Sequence, residues 1–159
     1  MPTDAAIGLG SNLGDRTSIL SSAVDALRQL PGTTLTAVSP IIETSPVGPQ
    51  DQPNFLNAVA IVRTTLTPRQ LLDELLAIER RLGRDRSEPT RWGPRVIDLD
   101  LLLHGEAVID EPGLTLPHPH MHERHFVLEP LAAVLPDAWH PLRMRTIAEL
   151  LGDLRVQEH

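Results

Sequence analysis

The chain has no lysine, no cysteine and no tyrosine. Each absence removes a class of chemistry. Without cysteine there can be no disulfide and no thiolate metal site, which fits a cytoplasmic protein. Without lysine there can be no Walker-type nucleotide loop, whose lysine lies on the phosphates, and no Schiff-base catalysis. All 14 basic residues are arginine, so any handling of phosphate falls to arginine, histidine, backbone N–H groups or metal. There is no run of 18 apolar residues of the kind that crosses a membrane, and no charged segment followed by an apolar one that would make a signal peptide. A formal net charge of −7 argues against broad nucleic-acid binding, which draws on a basic surface. The expectation is a monomer in the cytoplasm with neither a nucleic-acid nor a membrane partner.

What is present has the length of one domain, expected to span residues 1–159. Residues 4–10 form a short apolar strand, with a turn at Ser11, Asn12 and Gly14. Asp15 can cap a helix over 16–30, where Leu20, Val24, Leu27 and Leu30 recur at helical spacing. Residues 33–39, 41–44 and 54–63 are strand-like, and 45–53 form a proline-rich loop. Thr67-Pro68 opens a second helix with the stripe Leu71, Leu75, Ile78 and Leu82, and Gly83 ends it. Residues 84–95 form a charged loop, 96–103 a strand, 114–123 a Pro/His-rich loop, and 125–134 and 145–151 helices. The order β-α-β-β-α-β predicts an α+β, ferredoxin-like antiparallel sheet with helices packed on it as three α/β/α layers.

The polar residues gather in four places. Asp98 and Asp100 flank Leu99 on a strand, so their side chains share a face roughly 6.5 Å apart at Cα, from the rise per residue. Ile97, Leu99, Leu101 and Leu103 then take the opposite, core face. Two carboxylates so placed are either a solvated acidic face or a site for a divalent cation, since Mg²⁺ uses one or two carboxylates and fills its other positions with phosphate and water. The loop 84–95 is rich in arginine, which grips phosphate with a two-pronged fork, or else it is a solvated surface. His118, His120, His122 and His125 suggest a zinc site by spacing, though Pro117 and Pro119 leave the shape open, and one histidine donating to phosphate is the simpler use. Gly8, Gly10 and Gly14 have the spacing of a tight strand-to-helix turn and depart from the dinucleotide fingerprint. Phe55, Trp92 and Phe126 lie in or beside these polar stretches; core packing is the ordinary use of the phenylalanines.

Taken in order, GLGSNLGDR, GPQDQPNFLNAV, RWGPRVIDLDLLL and LPHPHMHERHFVLEPL resemble the 6-hydroxymethyl-7,8-dihydropterin pyrophosphokinases over nearly the whole chain. The resemblance implies transfer of the β,γ-diphosphate of ATP to the hydroxymethyl oxygen of the dihydropterin, a step toward folate. It implies two Mg²⁺ ions on Asp98 and Asp100, with Asp100 also near the reacting hydroxyl. It places Arg84, Arg86, Arg91, Arg95, His118 and Arg124 on the phosphates or in the loop that closes over them, with Arg84, Arg86 and Arg95 catalytic. Glu79, Leu101 and Thr115 fall beside the nucleotide, and Trp92 in the closing loop beside both substrates. Phe55 and Phe126 fall on either side of the pterin, Asn57 at its polar edge, and Thr44 and Val47 where backbone groups complete that edge. Gly113 stands where some relatives carry arginine. The competing expectations are a ferredoxin-like nucleic-acid or small-ligand module without catalysis, a zinc hydrolase built on the histidines, and a catalytically dead sensor.

Overall fold

The structure is a computed structural model that describes residues 2–12, 15–44, 54–83 and 97–157. In chain order the elements are β1 (Thr3–Ser11), α1 (Arg16–Arg28), β2 (Thr33–Val38), β3 (Ile42–Thr44), β4 (Phe55–Thr64), α2 (Pro68–Arg81), β5 (Asp98–His104), β6 (Ile109–Glu111), β7 (Leu114–Leu116), a 3₁₀ turn (Met121–Glu123), α3 (His125–Val134), β8 (Trp139–His140), β9 (Arg145–Thr146) and α4 (Ile147–Gln157). The local signals that start the first two helices act as the sequence predicts. The Asp15 carboxylate accepts the Ser18 N–H at 3.2 Å, and Thr67 and Gln70 cap each other's backbone reciprocally.

The main sheet has the antiparallel order β2-β4-β1-β5, with β3 also paired to β4. This is the expected ferredoxin-like arrangement, and each face carries its own core. On one face Leu20, Ala23 and Leu27 of α1 and Leu71, Leu75 and Ile78 of α2 pack on Ile7, Leu9, Ala60, Val62, Leu99 and Leu101. On the other face Leu128 and Leu131 of α3 and Ile147, Leu150 and Leu151 of α4 pack on Ala6, Val59, Ile61, Leu102 and Leu103. Each buried leucine or isoleucine contributes about 1.5–3 kcal/mol, so three layers follow from a sheet that is apolar on both sides.

Three expectations are corrected. Leu103 does not share a face with Ile97, Leu99 and Leu101. The β1–β5 register passes from Ile7 opposite Leu101 to Ala6 opposite Leu103, so Leu102 is an extra residue and both it and Leu103 turn toward α3 and α4. Residues 114–123 are not simply loop: β6 and β7 form a hairpin joined by Pro112-Gly113, with a 3₁₀ turn after it. Gly113 has φ +78° there, a conformation that an arginine would adopt only under strain. The last helix begins at Ile147 and runs to Gln157, after the short pair β8 and β9.

That short pair contains a buried titratable group. His140 is 3% exposed; its Nδ1 accepts the Arg143 N–H at 3.1 Å, and its ring meets His122 edge-on at 6.2 Å between centroids. Burial, then the neighbouring His122 and Arg143 cations, hold its pKa down at about 4. The unfolded chain therefore takes up a proton here before the folded one does. The stability contributed by neutral His140 is complete above its unfolded pKa of about 6.5 and drains away as the pH falls toward 4. Thermal denaturation should show a fall in Tm from about pH 7 to pH 5 that is shallower in His140→Gln than in wild type; equal slopes would assign the acid sensitivity to other groups.

Candidate active site

The site grows from the sheet face that looks toward α3. Register fixes its layout. Asn57 on β4 stands opposite Gly10 on β1, and Gly10 opposite Asp98 on β5. In the next row along, Val59, Gly8 and Asp100 are aligned in the same way. Asn57 and Asp98 are therefore two strand spacings apart, about 10 Å, with only a glycine between them. Gly8 and Gly10 lie within β1, as the strand expected over 4–10 requires. A Cβ on Gly10 would stand 3.4 Å from Asn57 Oδ1 and 3.8 Å from Phe55 Cδ1. One on Gly8 would touch the Leu102 side chain at 3.6 Å. The floor between the two polar ends is main chain, bounded by Leu102 where the second core begins.

At one end of this floor Asn57 is 8% exposed, and its Nδ2 donates to Thr44 Oγ1 at 2.7 Å. That bond fixes the rotation of the amide and leaves Oδ1 beside Gly10. Phe55 and Phe126 are half-buried, Phe126 packing against the second core. Arg124 Cζ lies 5.8 Å from the Phe126 ring centroid, within cation–π range. Arg16, to which the sequence gave no role, ties the outer rim: its Nη1 donates to Asn54 O at 2.7 Å and reaches Glu43 Oε2 at 3.5 Å. It thereby joins α1 to the ends of β3 and β4 that carry Thr44 and Phe55. The only sequence signal for Arg16 was its place in the GLGSNLGDR motif.

At the other end Asp98 and Asp100 are half-buried on one face. Two hard carboxylate oxygen donors beside a bare floor suit Mg²⁺, which accepts one or two carboxylates and takes phosphate oxygens and water for the rest. His118 lies alongside. Its N–H donates to Leu102 O at 2.9 Å, which lays the segment after the cis Leu116–Pro117 peptide along the outer edge of β5. Its Nδ1 accepts the His120 N–H at 3.2 Å, so the ring proton resides on Nε2. Burial first, then the Arg124 and His120 cations, lower its pKa to about 4, against an opposing pull from Asp98. His118 is thus a neutral donor at physiological pH. Its ring centroid is 6.3 Å from that of His120, whereas His122 is paired with His140. Among the described residues no group of three or more His, Asp or Glu side chains is arranged to hold a metal ion.

Glu79 and Leu101 are buried, at 1% and 6% exposure, Leu101 within the first core. Thr115 is exposed on β7 opposite Asp110. Val47, Arg84, Arg86, Arg91, Trp92 and Arg95 lie outside the described residues. No helix among the described residues is long and apolar enough to cross a membrane.

Comparison with known proteins bears on the family and the fold. The model of the 7,8-dihydro-6-hydroxymethylpterin-pyrophosphokinase family matches residues 6–136. The chain is 51% identical over 131 residues to a 2-amino-4-hydroxy-6-hydroxymethyldihydropteridine pyrophosphokinase of Pseudomonas aeruginosa, covering 82% of this chain and 80% of that one. It is 49% identical over 130 residues to the Bacillus subtilis protein of the same name, covering 82% and 77%. Among solved structures, wild-type Plasmodium falciparum HPPK-DHPS with pterin and p-hydroxybenzoate superposes with a TM-score of 0.74 at 16% identity. All of this chain is covered but only 43% of that larger one, so the likeness speaks for the fold. With a family match over most of its length, relatives at about half identity and the ferredoxin-like frame in common, the chain belongs to the 7,8-dihydro-6-hydroxymethylpterin-pyrophosphokinase family.

Proposed function

We propose that the row Asn57–Gly10–Asp98 is the line along which this ATP-dependent pyrophosphokinase joins its two substrates. That row, set by strand register, is the observation that carries the assignment. A flat pterin has a polar edge and two apolar faces. Phe55 and Phe126 suit the faces, and the oriented amide of Asn57 suits the edge. Thr44 holds that amide, and Val47 completes the edge. The hydroxymethyl group then extends over Gly10 toward Asp98 and Asp100, with no side chain in its path.

The hydroxymethyl oxygen bonds to the β-phosphorus of ATP while the bond from that phosphorus to the oxygen of departing AMP breaks; the hydroxyl proton is released. Asp98 and Asp100 would hold Mg²⁺, as two ions, which would supply positive charge to offset that of the phosphates. The chain's own part is alignment and charge. Asp100 orients the hydroxyl, and the Nε2–H of His118 and the guanidinium of Arg124 meet the phosphates. Arg84, Arg86, Arg91 and Arg95 add cations, with Trp92 among them; Thr115 borders the nucleotide, and the buried side chains of Glu79 and Leu101 support that end of the site from behind β5. The enzyme acts as a monomer in the cytoplasm without a nucleic-acid partner.

Incubation with ATP, Mg²⁺ and the hydroxymethyl dihydropterin, with nucleotides resolved, tests the reaction. AMP and a pterin diphosphate are expected. Stoichiometric ADP with a monophosphorylated pterin would overturn it. His118→Ala should raise the KM for ATP about 10-fold, the worth of one hydrogen bond to a charged group. His120→Ala and His125→Ala should leave it close to wild type. Steady-state kinetics at fixed Mg²⁺ would show the difference, and equal losses in all three would deny His118 its separate role.

A further inference from the structure

Glu79 stands in the last full turn of α2, on the apolar stripe one turn beyond Leu75, and is 1% exposed. Its Oε2 accepts the N–H of Leu99 at 2.7 Å. That peptide group lies between Asp98 and Asp100. An interior carboxylate is costly to desolvate. The C-terminal end of a helix, where carbonyls gather, makes this one costlier, and two further carboxylates lie close by on β5. A residue that served only to fill the core would be leucine, like its neighbours Leu71 and Leu75.

The position of the bond explains the choice. Within the main sheet β5 has one neighbour, β1, so every second peptide of β5 faces outward and needs another partner. Farther along, the carbonyl of Leu102 is met by the His118 N–H at 2.9 Å. At Leu99 the partner is Glu79. The backbone angles on either side of Leu99 set how far apart, and at what tilt, the two aspartates project. A short, charge-assisted bond anchored in a packed helix holds those angles more firmly than water would.

We propose that Glu79 is a positioning residue, which locks the Leu99 peptide to α2 and so holds the Asp98 and Asp100 carboxylates in the spacing that a metal–nucleotide complex requires. This rests on Asp98 and Asp100 being the metal ligands. It adds to the place beside the nucleotide that family resemblance gives Glu79, and it requires no contact between Glu79 and substrate.

The test uses Glu79→Gln, which keeps an oxygen acceptor, Glu79→Met, which keeps the length without one, and Glu79→Asp, which keeps the charge but falls one methylene short. Binding of Mn²⁺ to each protein saturated with α,β-methylene-ATP is followed by electron paramagnetic resonance, alongside kcat, both KM values and circular dichroism. Loss of a group that supports metal ligands from behind typically costs about 10–100-fold in metal affinity. Glu79→Met should therefore bind Mn²⁺ at least about 10-fold more weakly with a matching fall in kcat, Glu79→Gln should stay within about 3-fold of wild type, and the KM for pterin should not move in either. Should Glu79→Met fail to fold, Glu79→Asp decides by the same measure, with weakened Mn²⁺ binding expected. Asp98→Asn is run in parallel. If it loses Mn²⁺ binding and a folded Glu79→Met or Glu79→Asp does not, the role of Glu79 is overturned alone. If Asp98→Asn itself keeps Mn²⁺ binding, the metal assignment falls and the role of Glu79 with it.

Discussion

Replacement of Asp98 or Asp100 by alanine is expected to cut turnover by at least about 1,000-fold, because a metal-held transition state draws several kcal/mol from its ligands and each 1.4 kcal/mol is a factor of ten. The fold should survive. Both side chains are half-buried on the site face of β5, while the packing of that strand runs through Ile97, Leu99, Leu101, Leu102 and Leu103. Denaturation midpoints close to wild type are expected beside the collapse in kcat at saturating Mg²⁺. Near wild-type turnover in folded Asp98→Ala and Asp100→Ala would remove metal from this end of the site. A parallel collapse of stability would show that the carboxylates hold the strand instead.

The second large effect should come from Asn57→Ala. Asn57 is almost wholly enclosed, and its amide is held by Thr44. A pocket that recognises a polar edge through a fixed amide leaves that edge desolvated and unpaired when the amide goes, a loss of about 2–3 kcal/mol. The kcat/KM for the dihydropterin should therefore fall about 30–150-fold, while nucleotide affinity, governed two strands away, stays within about 2-fold. Thr44→Val is the informative companion. It keeps the amide but removes its acceptor, and should cost about 10-fold through loss of orientation. Isothermal titration with pterin and with α,β-methylene-ATP separates the two ends. If Asn57→Ala weakens both ligands equally, the row across Gly10 does not divide the labour as its register implies.

Much of the fold was legible because its signals are local. Asp15 and Thr67-Pro68 announce helix starts through their own side chains, and the alternation of helix and strand periods yields the antiparallel order. What escaped depends on counting across strands. Nothing within VIDLDLLL reveals that Leu102 is an extra residue, because the surplus exists only relative to Ala6 and Ile7 on β1. The β6–β7 hairpin escaped for a different reason: each arm is three residues long, too short to show a period, although Pro112-Gly113 carried its turn signal. In the candidate site, the shared face of Asp98 and Asp100 was legible from spacing, whereas a metal role for them, like the roles of Phe55 and Asn57, was implied only by family resemblance. Glu79 entered the sequence reading only through family resemblance; its burial and its bond to the Leu99 N–H belong to the fold. Gly8 and Gly10 were legible as part of the strand over 4–10, but not why a strand should carry glycine there. Their reason to be in a strand becomes visible only once Asn57 and Asp98 stand on either side.

The glycine floor also bears on inhibition and the escape from it. Resistance to an inhibitor commonly arises when a side chain that touches the drug is exchanged for another. A flat compound resting over Gly8 and Gly10 would touch main chain, which a point substitution can alter only by adding atoms. The nearest atoms to a Cβ on Gly10 belong to Asn57 and Phe55, the same groups assigned to the substrate, so the added methyl would narrow the path of the dihydropterin as much as that of the drug. Compounds that take their affinity from this strip of backbone, rather than from the rim at Arg16 and Glu43, would leave the enzyme few substitutions that spare its own reaction.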